Sequence, residues 1–146
     1  MKTLLALIMI AFGALSWVGQ LISAVRFPLA QRWGLQEGDR ETDPLFRRDS
    51  LYAARWDAIV LWTLIFAGVL MLVDHPWWPG AALVAGGIYL DGAGRDYLKY
   101  SCLRASGVRV GSGNEIRVAR IFYGAMFLIA LVVLVYTAAF VLGRSG

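Results

Sequence analysis

The chain has one cysteine, Cys102, and one histidine, His75, in 146 residues. A single copy therefore cannot form a disulfide, a dithiol redox pair, a bis-histidine haem site or a cysteine/histidine zinc site. Charge is also scarce, at 16% Asp, Glu, Lys and Arg against 59% hydrophobic residues. That balance excludes an ordinary soluble domain and points to a polytopic membrane protein. No conventional set of nucleophile and base is visible, and no cofactor is expected. The segment 107–113 resembles an anion nest ahead of a helix but lacks the Lys-Ser/Thr ending of a P-loop, so it gives no support to nucleotide binding.

What the chain has in abundance is apolar runs. They cover Leu4–Val25, Ala58–Val73, Trp77–Leu90 and Ile121–Leu142. The first and last hold about 22 residues each, enough at ~1.5 Å per residue for a ~30 Å hydrocarbon layer. The expected fold is an all-α membrane protein. It is a single domain over 1–146, a four-transmembrane-helix bundle with spans near 4–25, 58–73, 77–95 and 117–142 and short amphipathic cytoplasmic extensions.

The basic residues fix an expected orientation. Arg26, Arg32, Arg40, Arg47, Arg48 and Arg55 fall in one loop, and Arg95, Lys99, Arg104, Arg109, Arg117 and Arg120 in another, leaving only Lys2 and Arg144 for the opposite side. Short basic loops stay cytoplasmic, and acidic residues count for little in that rule. Both loops are expected inside and both termini outside. Lys2, Leu4–Ala14 and Ala14-Leu15-Ser16 imitate a cleaved signal peptide, but apolar character continues to Val25 and reads as a retained span. Twelve of the fourteen basic residues are Arg, a usage that suggests a bacterial gene and hence an inner-membrane location. The sequence pI of about 9.6 is accounted for by topology and anionic lipid head groups, with no nucleic-acid partner expected.

Local signals punctuate the runs. Pro28 breaks the first span, leaving Leu29 and Trp33 for a short interfacial turn, and Gly34 to Glu41 reads as a polar, mobile loop. Asp43-Pro44 is a helix start, Ser106-Gly107 a helix end, and Ser112 with Glu115 a capping box. Trp77 and Trp78 suit an aromatic belt, and the Asp74-His75 pair in the same turn reads as a helix cap in preference to a metal site. Ala82 and Gly86 stand at the spacing that lets helices approach closely. No motif carries a family resemblance. Small multidrug transporters share the size and helix number, but the first span here has no acidic residue.

The polar residues inside the runs define the candidate site. Gln20, Thr63, Asp91, Arg95 and Tyr123 all count to a similar depth near the cytoplasmic end, one or more from each helix. They are expected to form one inward-facing polar layer, a ligand site or a packing layer, with Asp91 and Arg95 turned toward Gln20 or Tyr123. The competing reading of Asp91 and Arg95 is an i,i+4 ion pair at a helix end, with Arg95 reaching to the surface. Arg104, Arg109 and Arg117 are candidate contacts for anionic lipid head groups. Cys102 is expected to be a reduced, juxtamembrane thiol.

The function expected from this inventory is a non-enzymatic accessory, scaffold or lipid-interacting protein, self-associating or bound to a larger membrane partner. The alternatives are an oligomeric channel or transporter using Asp91 and Arg95, and a lipid head-group enzyme using Asp57, Asp91 and Asp96.

Overall fold

The computed structural model describes residues 1–143, except for the side chain at position 39. Arg144, assigned above to the outer side, lies outside the described residues. Among the described residues six α-helices follow one another: α1 (Lys2–Val25), α2 (Phe27–Arg32), α3 (Pro44–Val60), α4 (Trp62–Leu72), α5 (Trp78–Ala105) and α6 (Gly113–Leu142). A short 3-10 turn at Asp39–Glu41 and an isolated antiparallel bridge between Thr42 and Val110 are the other regular features.

The boundaries fall where local chemistry puts them. Asp43 caps α3 by accepting from the Leu45 N–H, with Pro44 in the first turn where a missing N–H costs nothing. Ser112 and Glu115 form a complete reciprocal capping box at the start of α6. Asp74 takes a positive φ just past α4, and the His75 N–H returns to the Leu70 carbonyl. The ring of His75 accepts from the Trp77 N–H, so Asp74 and His75 serve the turn.

Helices α3 and α4 form one nearly continuous rod interrupted at Leu61. The α1, α3–α4, α5 and α6 rods pack side by side, with α5 most extensively against α6 and α1 most extensively against α4. Lys2 pairs with Asp74 and lies over the Trp78 ring at 5.3 Å, so the N-terminus and the α4–α5 turn share one end. The two basic loops meet at the other end, where the Asp43 N–H donates to the Arg109 carbonyl and the Gly111 N–H to the Glu41 carbonyl.

Three rods are long and apolar enough to cross a membrane: Lys2–Val25, Pro44–Leu72 and Gly113–Leu142, with mean hydropathies of 2.1, 1.7 and 2.7. Helix α5 does not meet that standard, so three of the four expected spans are matched by length and composition. Its composition explains why. It is rich in glycine and alanine, it carries Asp91, Arg95, Asp96 and Lys99, and it buries a full-length stripe from Trp78 to Tyr100 against its neighbours. One correction concerns Trp78, expected in an interfacial belt. It is buried and packs on Phe140 with ring centroids 4.6 Å apart, while Trp77 is exposed.

The half of the molecule nearest Lys2 is closely packed. Ala6, Met9, Leu64, Ala67, Ala82, Ala85 and Val133 are fully buried there. Close approach depends on two glycines. A Cβ at Gly68 would stand 2.8 Å from Ile10 Cγ1 and 2.9 Å from the Ala6 carbonyl oxygen, and one at Gly86 would stand 2.9 Å from Leu134 Cδ2. Gly86 with Ala82 was legible as a small-residue face; the Gly68 contact was not. Gly87, one residue away, faces open space. We expect Gly68→Ala to destabilise the protein by about 1–3 kcal/mol through overpacking against backbone. Gly87→Ala should be neutral or stabilising by up to about 1 kcal/mol. Thermal unfolding of both variants in detergent checks this, and equal effects would contradict the packing described.

Candidate functional site

Packing changes character at Leu61. Four successive carbonyls at the α3–α4 joint each receive a side-chain donor. Trp17 Nε1 reaches Ala58 O at 2.8 Å, Trp62 Nε1 reaches Ile59 O at 2.8 Å, Thr63 Oγ1 reaches Val60 O at 2.7 Å and Tyr89 OH reaches Leu61 O at 2.9 Å. Side-chain donors on helix carbonyls bend a helix, and here they also satisfy the interruption without water. Thr63 was expected in the polar layer. Its hydroxyl is instead committed to this joint.

Beyond the joint, toward the basic loops, the rods enclose a cavity of about 340 Å³. Helix α1 contributes Ser16, Gln20 and Ser23, α3 contributes Ser50, Ala54 and Asp57, α5 contributes Asp96, Lys99 and Tyr100, and α6 contributes Glu115, Phe122 and Tyr123. The segment Gly34–Glu37 covers it. Ser16 is ten residues from Arg26, so the cavity runs roughly 15 Å into the molecule, about half a hydrocarbon layer. Ser16, Gln20 and Ser23, at steps of four and three along α1, lie on one wall of it.

Charge inside the cavity is one-sided. Glu37, Asp57, Asp96 and Glu115 line it with Lys99 as their only lining cation among the described residues. Glu115 is occupied, receiving the Ser112 and Gly38 N–H groups. Asp96 is 5% exposed; its Oδ1 receives no hydrogen bond and stands 3.5 Å from both Arg95 Nε and Lys99 Nζ. Lys99 is shared with Asp49 at 2.8 Å. Asp57 is 9% exposed, and no hydrogen bond or ion pair reaches its carboxylate among the described residues. Gln20 Oε1 is also buried without a donor.

The same end of the molecule carries a series of aromatic rings. Phe46, Tyr100, Tyr123, Phe122 and Phe12 follow one another with centroid separations of 5.2, 5.9, 5.9 and 5.6 Å. Of these, Tyr100, Phe122 and Tyr123 face the cavity.

The structure corrects the expected layer at its central pair. The side chain of Asp91 is 73% exposed and that of Arg95 46%, joined by an i,i+4 contact of 3.6 Å on the outer face of α5. From Tyr89 onward the buried positions of α5 are Tyr89, Gly92, Ala93, Asp96 and Tyr100, and Asp91 falls about 200° from Tyr89 around the helix. Counting residues gave the right depth and the wrong direction. Asp96, five residues on, is the carboxylate that faces inward. Gln20 and Tyr123 both line the cavity. Gly87 and Gly94 both face open space, and Gly92, whose Cβ would stand 3.2 Å from Met126 Cε, is the glycine at this level that packs inward.

The polar segment after α2 is likewise not a free loop. Tyr100 donates to Glu37 Oε1, Gln36 Nε2 donates to Ser23 Oγ at 3.2 Å, Gly38 N–H donates to Glu115 Oε1 at 3.1 Å, and Gln31 Nε2 donates to the Glu37 carbonyl at 2.7 Å. Residues 34–42 form a strap over the cavity mouth. The 107–113 segment holds its far side: Val110 pairs with Thr42, and Gly111 takes φ 112 beside Glu37. Its N–H donors at Gly111 and Ser112 go to Glu41 and Glu115, so this segment is no open anion nest. Arg104, Arg109 and Arg117 are exposed around this end, outside the cavity.

Burial pushes the Glu37 carboxyl up to about 7, with repulsion from Glu115 and Asp96 adding to it and the residue's own backbone N–H and Lys99 opposing it. A raised folded-state value means the native strap favours the protonated acid. Its stabilisation is complete below the unfolded value of about 4.5 and is lost as pH rises through about 7. Amide exchange in residues 34–42 is therefore expected to accelerate between about pH 6 and pH 8, beyond the intrinsic pH dependence of exchange. Glu37→Gln should remove that excess. An unchanged profile in the variant would show that another group controls the strap.

Compared with known proteins, the chain matches no family model, no curated protein and no solved structure, so its function has to be argued from the cavity itself.

Proposed function

We propose that this is a four-span membrane protein of the bacterial inner membrane that acts as a binding module. It is an accessory or lipid-interacting component, neither an enzyme nor a channel. The observation that carries the reading is the one-sided cavity. It opens among the basic loops, reaches to Ser16 and Phe122, and stops where Leu61, Leu64, Ala85 and Tyr89 are all buried. A conducting path needs polar or dewettable lining across the whole bilayer, and the half nearest Lys2 is closely packed. The transport reading also loses its designated residues, since Asp91 and Arg95 lie on the outer face.

Helix α5 is read as the fourth span because its Trp78 end lies beside Lys2 and its other end lies with the basic loops. Small residues on its buried face let α4 and α6 screen it from lipid. The arginine distribution supports cytoplasmic loops and outward termini. Arg104, Arg109 and Arg117 then form an exposed basic rim suited to anionic head groups. The apolar outer faces of α1 and α6 suit lipid, a second copy or a larger membrane partner.

Two measurements test this reading. Cys102, exposed near the end of α5, is a natural topology probe. An impermeant maleimide should label it only after the cytoplasmic face is opened, and labelling in intact cells would overturn the orientation. Liposomes containing the purified protein should show the same proton and potassium leak as empty ones. Flux that disappears on Asp57→Asn would replace the binding module with a transporter.

A further inference from the structure

We infer that the cavity binds a small organic cation, an ammonium group carrying a compact apolar body, with Asp57 as its counter-ion. The inference rests on the one-sided cavity proposed above and names what that cavity takes. Asp57 is nine-tenths buried, faces the cavity and has neither a hydrogen bond nor an ion pair among the described residues; Arg95 and Lys99 act on it only at longer range. A buried carboxylate in that position costs free energy unless a partner arrives. The neighbouring charges do not supply one. Asp91, Arg95, Asp96, Lys99 and Asp49 form a linked series with three carboxylates and two cations, already negative before Asp57 is counted.

The lining distinguishes an organic from an inorganic cation. Calcium and magnesium take six or more oxygen ligands at short range, and no cluster of three or more acidic, histidine or cysteine side chains among the described residues could hold a metal. The lining that holds Asp57 also holds Tyr100, Phe122 and Tyr123, and aromatic faces attract ammonium groups within about 6 Å of the ring centre. A volume of about 340 Å³ accommodates an amine with a short hydrocarbon or aromatic body and excludes long-chain amphiphiles entire. The ammonium can come from a free amine or from the head group of an aminophospholipid, and both present the same group to Asp57.

Calorimetric titration of the full-length protein in detergent tests the inference. The probes are benzylamine, benzyltrimethylammonium and neopentylbenzene, the last being the neutral isostere of the second. The cations should bind the wild-type protein at least tenfold more tightly than the isostere, about 1.4 kcal/mol. Asp57→Asn should reduce cation affinity by roughly tenfold or more and leave the isostere unchanged, while Asp91→Asn, which removes the same charge outside the cavity, should bind like wild type. Equal losses in the two variants would show a diffuse charge effect and overturn the inference. Equal affinity for cation and isostere would overturn it too, while leaving the binding module standing. No binding by any probe to the delipidated protein, with none restored by phosphatidylethanolamine, would remove both. If phosphatidylethanolamine competes with benzylamine, the lipid is the source of the ammonium; if it does not, the source is a free amine.

Discussion

The structure depends on how the α3–α4 rod satisfies its backbone at the joint around Leu61. Inside a bilayer no water is available to a carbonyl, and an unsatisfied one costs several kcal/mol. Here Trp17, Trp62, Thr63 and Tyr89 supply donors to four successive carbonyls, from Ala58 to Leu61. Two of those donors come from other rods, α1 and α5, so the joint also ties three rods together at one level. On one side of it the contacts are glycine- and alanine-mediated and dry. On the other, α3 carries Ser50, Ala54 and Asp57 along the wall of a cavity.

The division of charge follows from the same geometry. Arginine fixes orientation through exposed loops, and acidic residues weigh little in that process. Carboxylates can therefore be concentrated inside a protein of net charge +4 without disturbing its topology. Glu37, Asp57, Asp96 and Glu115 face the cavity, while Arg104, Arg109 and Arg117 stand outside it. On the proposed reading, a basic rim around an acidic interior sorts ligands in two stages: the rim favours an anionic membrane surface, and the interior favours a cation.

Much of the architecture was legible in the residues. Helix ends with strong local chemistry, at Asp43-Pro44, Ser106-Gly107 and Ser112 to Glu115, lie where side-chain capping requires. The common end of the two basic loops followed from charge alone. The cavity was only half legible. Gln20 has polar neighbours at helical spacing on α1, but Asp91 and Asp96 lie only about 7.5 Å apart along α5, and counting depth says nothing of which face each takes. Continuing the stripe of Trp78, Ala82, Ala85, Tyr89 and Gly92 by steps of three and four reaches Asp96 and would have chosen correctly. Glu37 had no such signal. Its burial comes from Tyr100 and Gly111, more than sixty residues away, and a loop has no period from which to infer them. Thr63 was misplaced because the interruption at Leu61 leaves no proline or glycine mark in the sequence.

The central claim is that water and ligands reach this protein from one end only, as far as the Leu61 joint. Single cysteines introduced into a Cys102→Ser background measure this directly. Ala53→Cys and Ala119→Cys line the cavity at half-buried positions, and Ala67→Cys and Ala82→Cys lie fully buried beyond the joint. With a small water-soluble methanethiosulfonate in inside-out vesicles, the first two should react and the last two should stay protected until the protein is unfolded. Reaction at Ala67→Cys or Ala82→Cys in the folded protein would mean that the outer half is open and that the one-sided cavity is wrong.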